Sequence, residues 1–193
     1  MDENLNWSKH ISTVKTKIGI ICKARCVLKS STLVTLYNSF VFPYMSYCIE
    51  VWGGASDKYM SSLFKLQKRA VRVITSSAYL AHTSPIFFKL NILNIYKVYA
   101  LKIIMLMYKY EHRLLPSSVQ DMFVTNNFIH QHFTRQSHKI HVPKGRTNLI
   151  KRSFRHYSVV LWNCISDILD YNCTISSFKY RLKKYLLISD VPI

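Results

Sequence analysis

Residues 56–74, SDKYMSSLFKLQKRAVRVI, decide how this chain folds. Leu63, Leu66, Ala70, Val73 and Ile74 recur at three- and four-residue intervals, which gathers them on one side of a helix turning about 100° per residue. Ser56 stands where an N-cap belongs, and the helix is expected to run to about Ile74. Lys65, Lys68, Arg69 and Arg72 fall at i, i+3, i+4 and i+7 and form a second stripe opposite the apolar one. One side should pack and the other should present a row of positive charge. Solvated helix faces usually mix signs, whereas no acid occurs between Met60 and Tyr110. The stripe is therefore a candidate for contact with phosphate.

Helical periodicity continues on both sides of this segment. From Ser8 to Leu28, Ile11, Val14, Ile18, Ile21 and Cys22 share a face, with Trp7 at the start. A second run opens at Ser30-Ser31 and carries Leu33, Leu36, Tyr37, Phe40, Val41, Tyr44, Tyr47, Cys48 and Val51 to Trp52, where Gly53-Gly54 stops it. Pro43 lies inside that run, so either a kink or two successive helices is expected. Tyr37, Tyr44, Tyr47 and Trp52 could stack on bases, but aromatics at helical spacing read as core. Ser84-Pro85 opens a short helix to Leu90, and Asn94 can cap another reaching about His112 before Pro116. That last helix, with Val98, Leu101 and the run Ile103 to Tyr108, is apolar nearly all round. It must be buried on several sides or lack a partner.

Composition shifts beyond Pro116. From Met122 to Ser166 there is no acid, while Arg135, Lys139, Lys144, Arg146, Lys151, Arg152 and Arg155 stand beside five histidines. This is the densest charge in the chain and the strongest candidate for nucleic-acid contact. Alternation at Lys139-Ile140-His141-Val142 predicts a short strand or extended arm, ended by Pro143 and the Lys144-Gly145 turn. Helices resume over 153–169, with Phe154, Val159, Val160, Trp162 and Ile165 inward. A final helix capped near Thr174 or Ser176 turns Phe178, Leu182, Tyr185 and Leu186 inward and Lys179, Arg181, Lys183 and Lys184 outward. The fold class is thus mainly α: a helical bundle at 1–80, connecting helices at 81–116, a basic loop or arm at 117–152 and C-terminal helices at 153–193.

With 27 Lys and Arg against 9 Asp and Glu, the formal charge of the 193-residue chain is +18, and 49% hydrophobic content is enough for a core. An enzyme of small molecules has no physical reason for that imbalance. A polyanion does, because each neutralised phosphate releases counterions. The nine carboxylates are scattered singly, with no paired aspartates, nucleophile elbow, phosphate-binding glycine loop or His-Glu-x-x-His, so no catalytic residue and no cofactor is expected. His130, His132, His138 and His141 have spacings that can gather imidazoles. Structural zinc, however, recruits cysteine pairs, and Cys22 and Cys26 sit on one helix with no second pair nearby; no metal site is expected. The five cysteines, Cys22, Cys26, Cys48, Cys164 and Cys173, lie mostly in apolar periodic segments and read as small hydrophobes of a reducing compartment. No secretory or mitochondrial signal opens at Met1, which points to a cytoplasmic or nuclear protein that is not secreted. The sequons at Asn6 and Asn172 then read as coincidence. The apolar stretch Ile103 to Tyr108 is far short of the roughly 20 residues that span a bilayer, so no membrane partner is expected.

The segments together resemble the region after the catalytic domain of non-LTR retrotransposon reverse transcriptases, of the jockey and related LINE kind. The matching residues are Trp7-Ser8-Lys9-His10-Ile11, Leu33-x-x-Leu36-Tyr37-x-Ser39, Pro43-Tyr44-x-x-Tyr47 and Val51-Trp52-Gly53. They continue with Leu66-Gln67-Lys68-Arg69-Ala70-x-Arg72-x-Ile74, His82-Thr83-x-Pro85, Met107-Tyr108-Lys109 and Leu115-Pro116. Thr134-Arg135, Arg146-Thr147, Leu161-Trp162-Asn163 and Phe178-Lys179-x-x-Leu182-Lys183 complete the series. The chain departs from the pattern at Ser166, where the family often has proline, and it lacks the terminal zinc knuckle of some relatives. The resemblance implies a thumb to about residue 80 lying along template-primer, with the remainder holding element RNA or target DNA. The palm with its paired aspartates and the endonuclease would lie elsewhere, making the chain a non-catalytic part of an RNA-directed DNA polymerase. The alternative is a protein-interaction or decayed fragment whose Val98 to Tyr108 helix packed against an absent catalytic domain.

Overall fold

The computed structural model describes residues 7–54, 57–129 and 134–189. It is mainly helical, and among these residues the β structure is one isolated antiparallel bridge between Thr125 and Ile140. The helices are α1 (Ser8–Ala24), α2 (Ser30–Leu36), a π-helical turn (Tyr37–Val41), α3 (Phe42–Ser46), α4 (Ile49–Trp52), α5 (Asp57–Ile74), α6 (Ser84–Lys89), α7 (Ile95–Glu111), α8 (Ser117–Gln120), α9 (Asn126–Ile129), α10 (Asn148–Arg152), α11 (Phe154–Ile165) and α12 (Ile175–Ile188). They form two compact units, Met1–Tyr99 with Leu186–Ile193, and Ala100–Tyr185.

In the first unit α1 packs along α5. Val14, Ile18 and Ile21 of α1 are buried, as are Met60, Leu63, Ala70, Val71 and Ile74 of α5. Each of these side chains larger than alanine contributes about 1.5–3 kcal/mol by leaving water. The apolar face of α5 is centred slightly differently from its sequence reading: Leu66 and Val73 are half-buried at its edge, and Gln67 and Val71 lie at its centre. The Ser56 cap lies outside the described residues. Helix α1 ends one turn before Leu28, and Val27 and Leu28 are exposed.

Pro43 is accommodated without a break. Proline lacks its own N–H and its ring crowds the carbonyl four residues back; the helix widens to the π turn at Tyr37–Val41 and then resumes as α3. The break comes later, where Tyr47 is extended and Cys48 is left-handed at φ 48°. Trp52 Nε1 donates to Tyr47 O at 2.7 Å across this break. Gly53 is required for space and not for handedness: its φ is −63°, and a β-carbon there would lie 2.3 Å from Tyr99 Cδ2. Tyr37 and Trp52 are buried as expected of core aromatics, but Tyr44 and Tyr47 are 45% and 75% exposed and do not belong to the core. The π turn and the break re-aim that face of the helix, which strict 3.6-residue periodicity cannot foresee.

Gln67 joins the pieces of this unit. Its Nε2 donates to Tyr37 Oη and to Leu93 O, both at 2.9 Å, and its Oε1 accepts from Ile95 N at 2.8 Å. Burial pushes the Tyr37 phenol up to about 12, against the pull of the Gln67 hydrogen bond, so the phenol is neutral at physiological pH. At the other end, Trp7, His10 and Trp52 pack as a ring cluster with centroids 5.3–5.9 Å apart.

The second unit is built on residues 100–111 of α7 with α11 and α12. Tyr108 stacks on Phe178 at 4.7 Å, Trp162 reaches Phe178 at 6.2 Å and Tyr171 at 5.4 Å, and Tyr108 Oη donates to Cys173 O. Thr174 is the cap of α12, its Oγ1 accepting from Ser177 N. Asn94 caps α7 by accepting from Lys97 N at 2.9 Å. None of the apolar residues of α7 is exposed, so this helix is buried on several sides.

The alternation at Lys139-Ile140-His141-Val142 shortens to a single antiparallel bridge at Ile140, followed by irregular backbone through Gly145. The 117–152 segment holds α8, α9 and α10, and its one bridge is fixed by His141 N donating to Val124 O at 2.8 Å and Asn126 N to Lys139 O at 3.0 Å. Ile140 and Phe123 are buried, Asn163 Nδ2 of α11 donates to Ile140 O at 2.8 Å, and Ile150 covers Gly145 so closely that a β-carbon would clash at 2.3 Å. Contacts distant in sequence hold the segment, and alternation over four residues cannot report them. The cysteines also depart from their reading: Cys26, Cys48 and Cys164 are exposed, Cys22 and Cys173 half-buried, and all five are free thiols. No helix among the described residues is long and apolar enough to cross a membrane.

Replacing Gln67 with leucine, close in volume, would leave two buried acceptors and a donor without their partner, each costing about 1–3 kcal/mol. Gln67→Leu is expected to destabilise the protein by at least about 3 kcal/mol in urea unfolding. A loss near zero would remove Gln67 from its structural role.

Candidate nucleic-acid interface

Helix α5 carries its packed and charged sides back to back. Leu63, Gln67, Ala70 and Ile74 point inward, while Lys65, Arg69 and Arg72 lie about half a turn away. Lys65 and Arg69 are exposed, and Lys68 and Arg72 are half-buried because each has structural work. Lys68 Nζ sits 4.3 Å above the ring of Phe64, which in turn meets Phe87 at 6.3 Å and Tyr96 at 5.4 Å. Arg72 Nε donates to Ala81 O at 3.0 Å.

That second bond completes a turn set by the end of α5. Ser76 N donates to Val73 O at 3.2 Å and Ser77 N to Arg72 O at 3.0 Å, the paired bonds of a Schellman cap, with Ser76 left-handed at φ 51°. Thr75 Oγ1 and Ser77 Oγ are 2.7 Å apart. Held by these bonds, residues 77–81 fold back over the helix end and display Tyr79 and Leu80, which are 83% and 85% exposed.

The C-terminal ends of α1 and α5 meet at a groove of about 600 Å³ lined by Cys22, Arg25, Cys26, Arg69, Arg72, Val73, Ser77 and Tyr79. Sequence reasoning placed Arg69 and Arg72 on a stripe but missed Arg25 and Tyr79. Arg25 follows the last residue of α1 and has no periodicity to mark it; only the α1–α5 packing brings it across from residues more than forty positions later. Neither Arg25, Arg69 nor Arg72 forms an ion pair among the described residues, and no carboxylate lines the groove.

The second basic tract is placed less uniformly. Lys139 is paired with Asp167 at 2.5 Å, a partly exposed ion pair with which a phosphate would compete. Arg135, Lys144, Arg146, Lys151, Arg152 and Arg155 are exposed, the last three bracketing Ser153 where α10 ends and α11 begins. His141 Nδ1 lies 3.1 Å from Asn126 Oδ1 and His138 is exposed, while His130 and His132 lie outside the described residues. Among the described residues no three His, Cys, Asp or Glu side chains are placed to hold a metal ion. No known family model matches the chain, and neither a curated protein nor a solved structure does so.

Arg72 holds the 77–81 turn through one side-chain bond, so Arg72→Ala should loosen that turn while the rest of α5 stays packed. Chymotrypsin should then cleave after Tyr79 several-fold faster, following the larger population of the opened turn. An unchanged cleavage rate would show that the Schellman cap alone holds it.

Proposed function

We propose that this chain is a non-catalytic nucleic-acid-holding part of a retrotransposon-encoded RNA-directed DNA polymerase, gripping template-primer or element RNA through Lys and Arg contacts to phosphate. The observation that carries the reading is the outward face of α5, where Lys65 and Arg69 are exposed one turn apart behind a fully packed inner face. Such a face is rigid, uniformly positive and indifferent to base sequence, which suits a backbone contact. It belongs to the segment whose Leu66-to-Ile74 pattern resembles the thumb of non-LTR reverse transcriptases. The exposed cations Arg135, Lys144, Arg146, Lys151, Arg152 and Arg155 of the second unit would make phosphate contacts of their own. The alternative, docking against an absent catalytic domain through α7, finds less support, since the apolar residues of that helix are buried or half-buried and none is exposed.

Filter binding of a duplex and of a single strand at increasing salt tests the reading. Log K is expected to fall steeply with log salt, and Lys65→Glu with Arg69→Glu should flatten that slope by about 2, weakening all sequences alike. A slope near zero for the unaltered protein would sink the proposal.

A further inference from the structure

Residues 1–99 contain ten lysines and three arginines, and all three arginines, Arg25, Arg69 and Arg72, line the groove between the ends of α1 and α5, while none of the lysines does. A diffuse polyanion needs only charge, which lysine supplies. Arginine adds a planar fork that takes two oxygens of one phosphate at once, and Arg72, with Nε on Ala81 O, keeps its two terminal nitrogens, so three arginines lining one groove suit a discrete phosphate better than a passing backbone. Their summed charge also exceeds that of an internal phosphodiester. It matches a terminal phosphate monoester, which carries −1.5 to −2 near neutral pH, together with the diester that follows it.

The rest of the groove fits the remainder of such an end. About 600 Å³ lies within the range of small-ligand sites and accommodates a single nucleotide. Tyr79 stands at its edge with its ring exposed, on a turn held by the Schellman cap and by Arg72. An exposed aromatic ring on a held turn beside a phosphate grip is an arrangement on which an unpaired base stacks. From this convergence we infer that the groove is an end-binding site: it holds the terminal phosphate of a single-stranded nucleic acid between Arg25, Arg69 and Arg72, with the terminal base on Tyr79. The inference rests on the nucleic-acid reading above and adds to it a preference for phosphorylated ends.

Cys26 provides an internal reporter, being an exposed thiol in the groove, while Cys48 and Cys164 are exposed thiols outside its lining. The full chain is titrated with an oligothymidylate of about eight nucleotides bearing a 5′-phosphate, a 3′-phosphate or neither, and alkylation of each thiol by iodoacetamide is followed by mass spectrometry. One phosphorylated form is expected to bind roughly tenfold tighter than the unphosphorylated strand and to slow alkylation of Cys26 but not of Cys48 or Cys164. Which end is preferred identifies the polarity of the site. Arg25→Gln, at an exposed position, should abolish the preference while leaving salt-dependent binding, and Tyr79→Ala should weaken all single strands. Equal, salt-dependent binding of all three oligonucleotides with Cys26 unprotected overturns the end site and leaves the general reading standing; failure to bind any of them overturns both.

Discussion

The carboxamide of Gln67 is the constraint on which the first unit depends. An amide buried without partners is costly, and here each of its polar groups is used: the nitrogen on Tyr37 and Leu93, the oxygen on Ile95. Apolar contacts set how deeply α5 is buried but tolerate small rotations about its axis. Three directional bonds do not. By fixing the rotation of α5, Gln67 also fixes which residues half a turn away face solvent, so the position of Lys65 and Arg69 follows from a bond on the opposite side of the helix.

The same residue shows where sequence reading reaches and where it stops. Helix α5, its two faces and its end near Ile74 were legible because apolar and basic residues repeat at the same period and out of phase. Gln67 was legible only as a member of a resembling motif, since its value depends on Tyr37 in a π turn and on the residues entering α7. Tyr44 and Tyr47 were misread for a related reason: a π turn and a left-handed Cys48 shift the phase of the helix around Pro43, and residues assigned to the core come out exposed. Periodicity counts residues per turn and fails where the turn changes.

Of the candidate site, the α5 stripe was readable and the groove was not. Arg25 and Tyr79 lie outside any periodic run, and each reaches the groove through a tertiary feature, the α1–α5 packing in one case and the cap at Ser76 in the other. Charge density alone also could not show that Lys139 pairs with Asp167, which lies 28 residues away and just after the acid-free tract. Counting cations along the chain gives the sign of a surface but not which cations are spoken for.

What remains is why the first unit tolerates so much unneutralised charge. Its acids between residues 7 and 99 are Glu50 and Asp57, both in first turns of helices, where a carboxylate favours the helix dipole. Neither lines the groove. Like charges at i+3 and i+4 on α5 oppose helix formation by a few tenths of a kcal/mol per pair, and the three arginines line one groove with no acid in its lining. Beyond the Arg72 bond to Ala81 O, no interaction among the described residues offsets the like charge of that arrangement. A bound anion would relieve it, and all three arginines line the one groove, whereas none of the lysines does. On the proposed reading the lysines would supply a general field, while the arginines of the groove would add one place within it, Arg69 of α5 serving both.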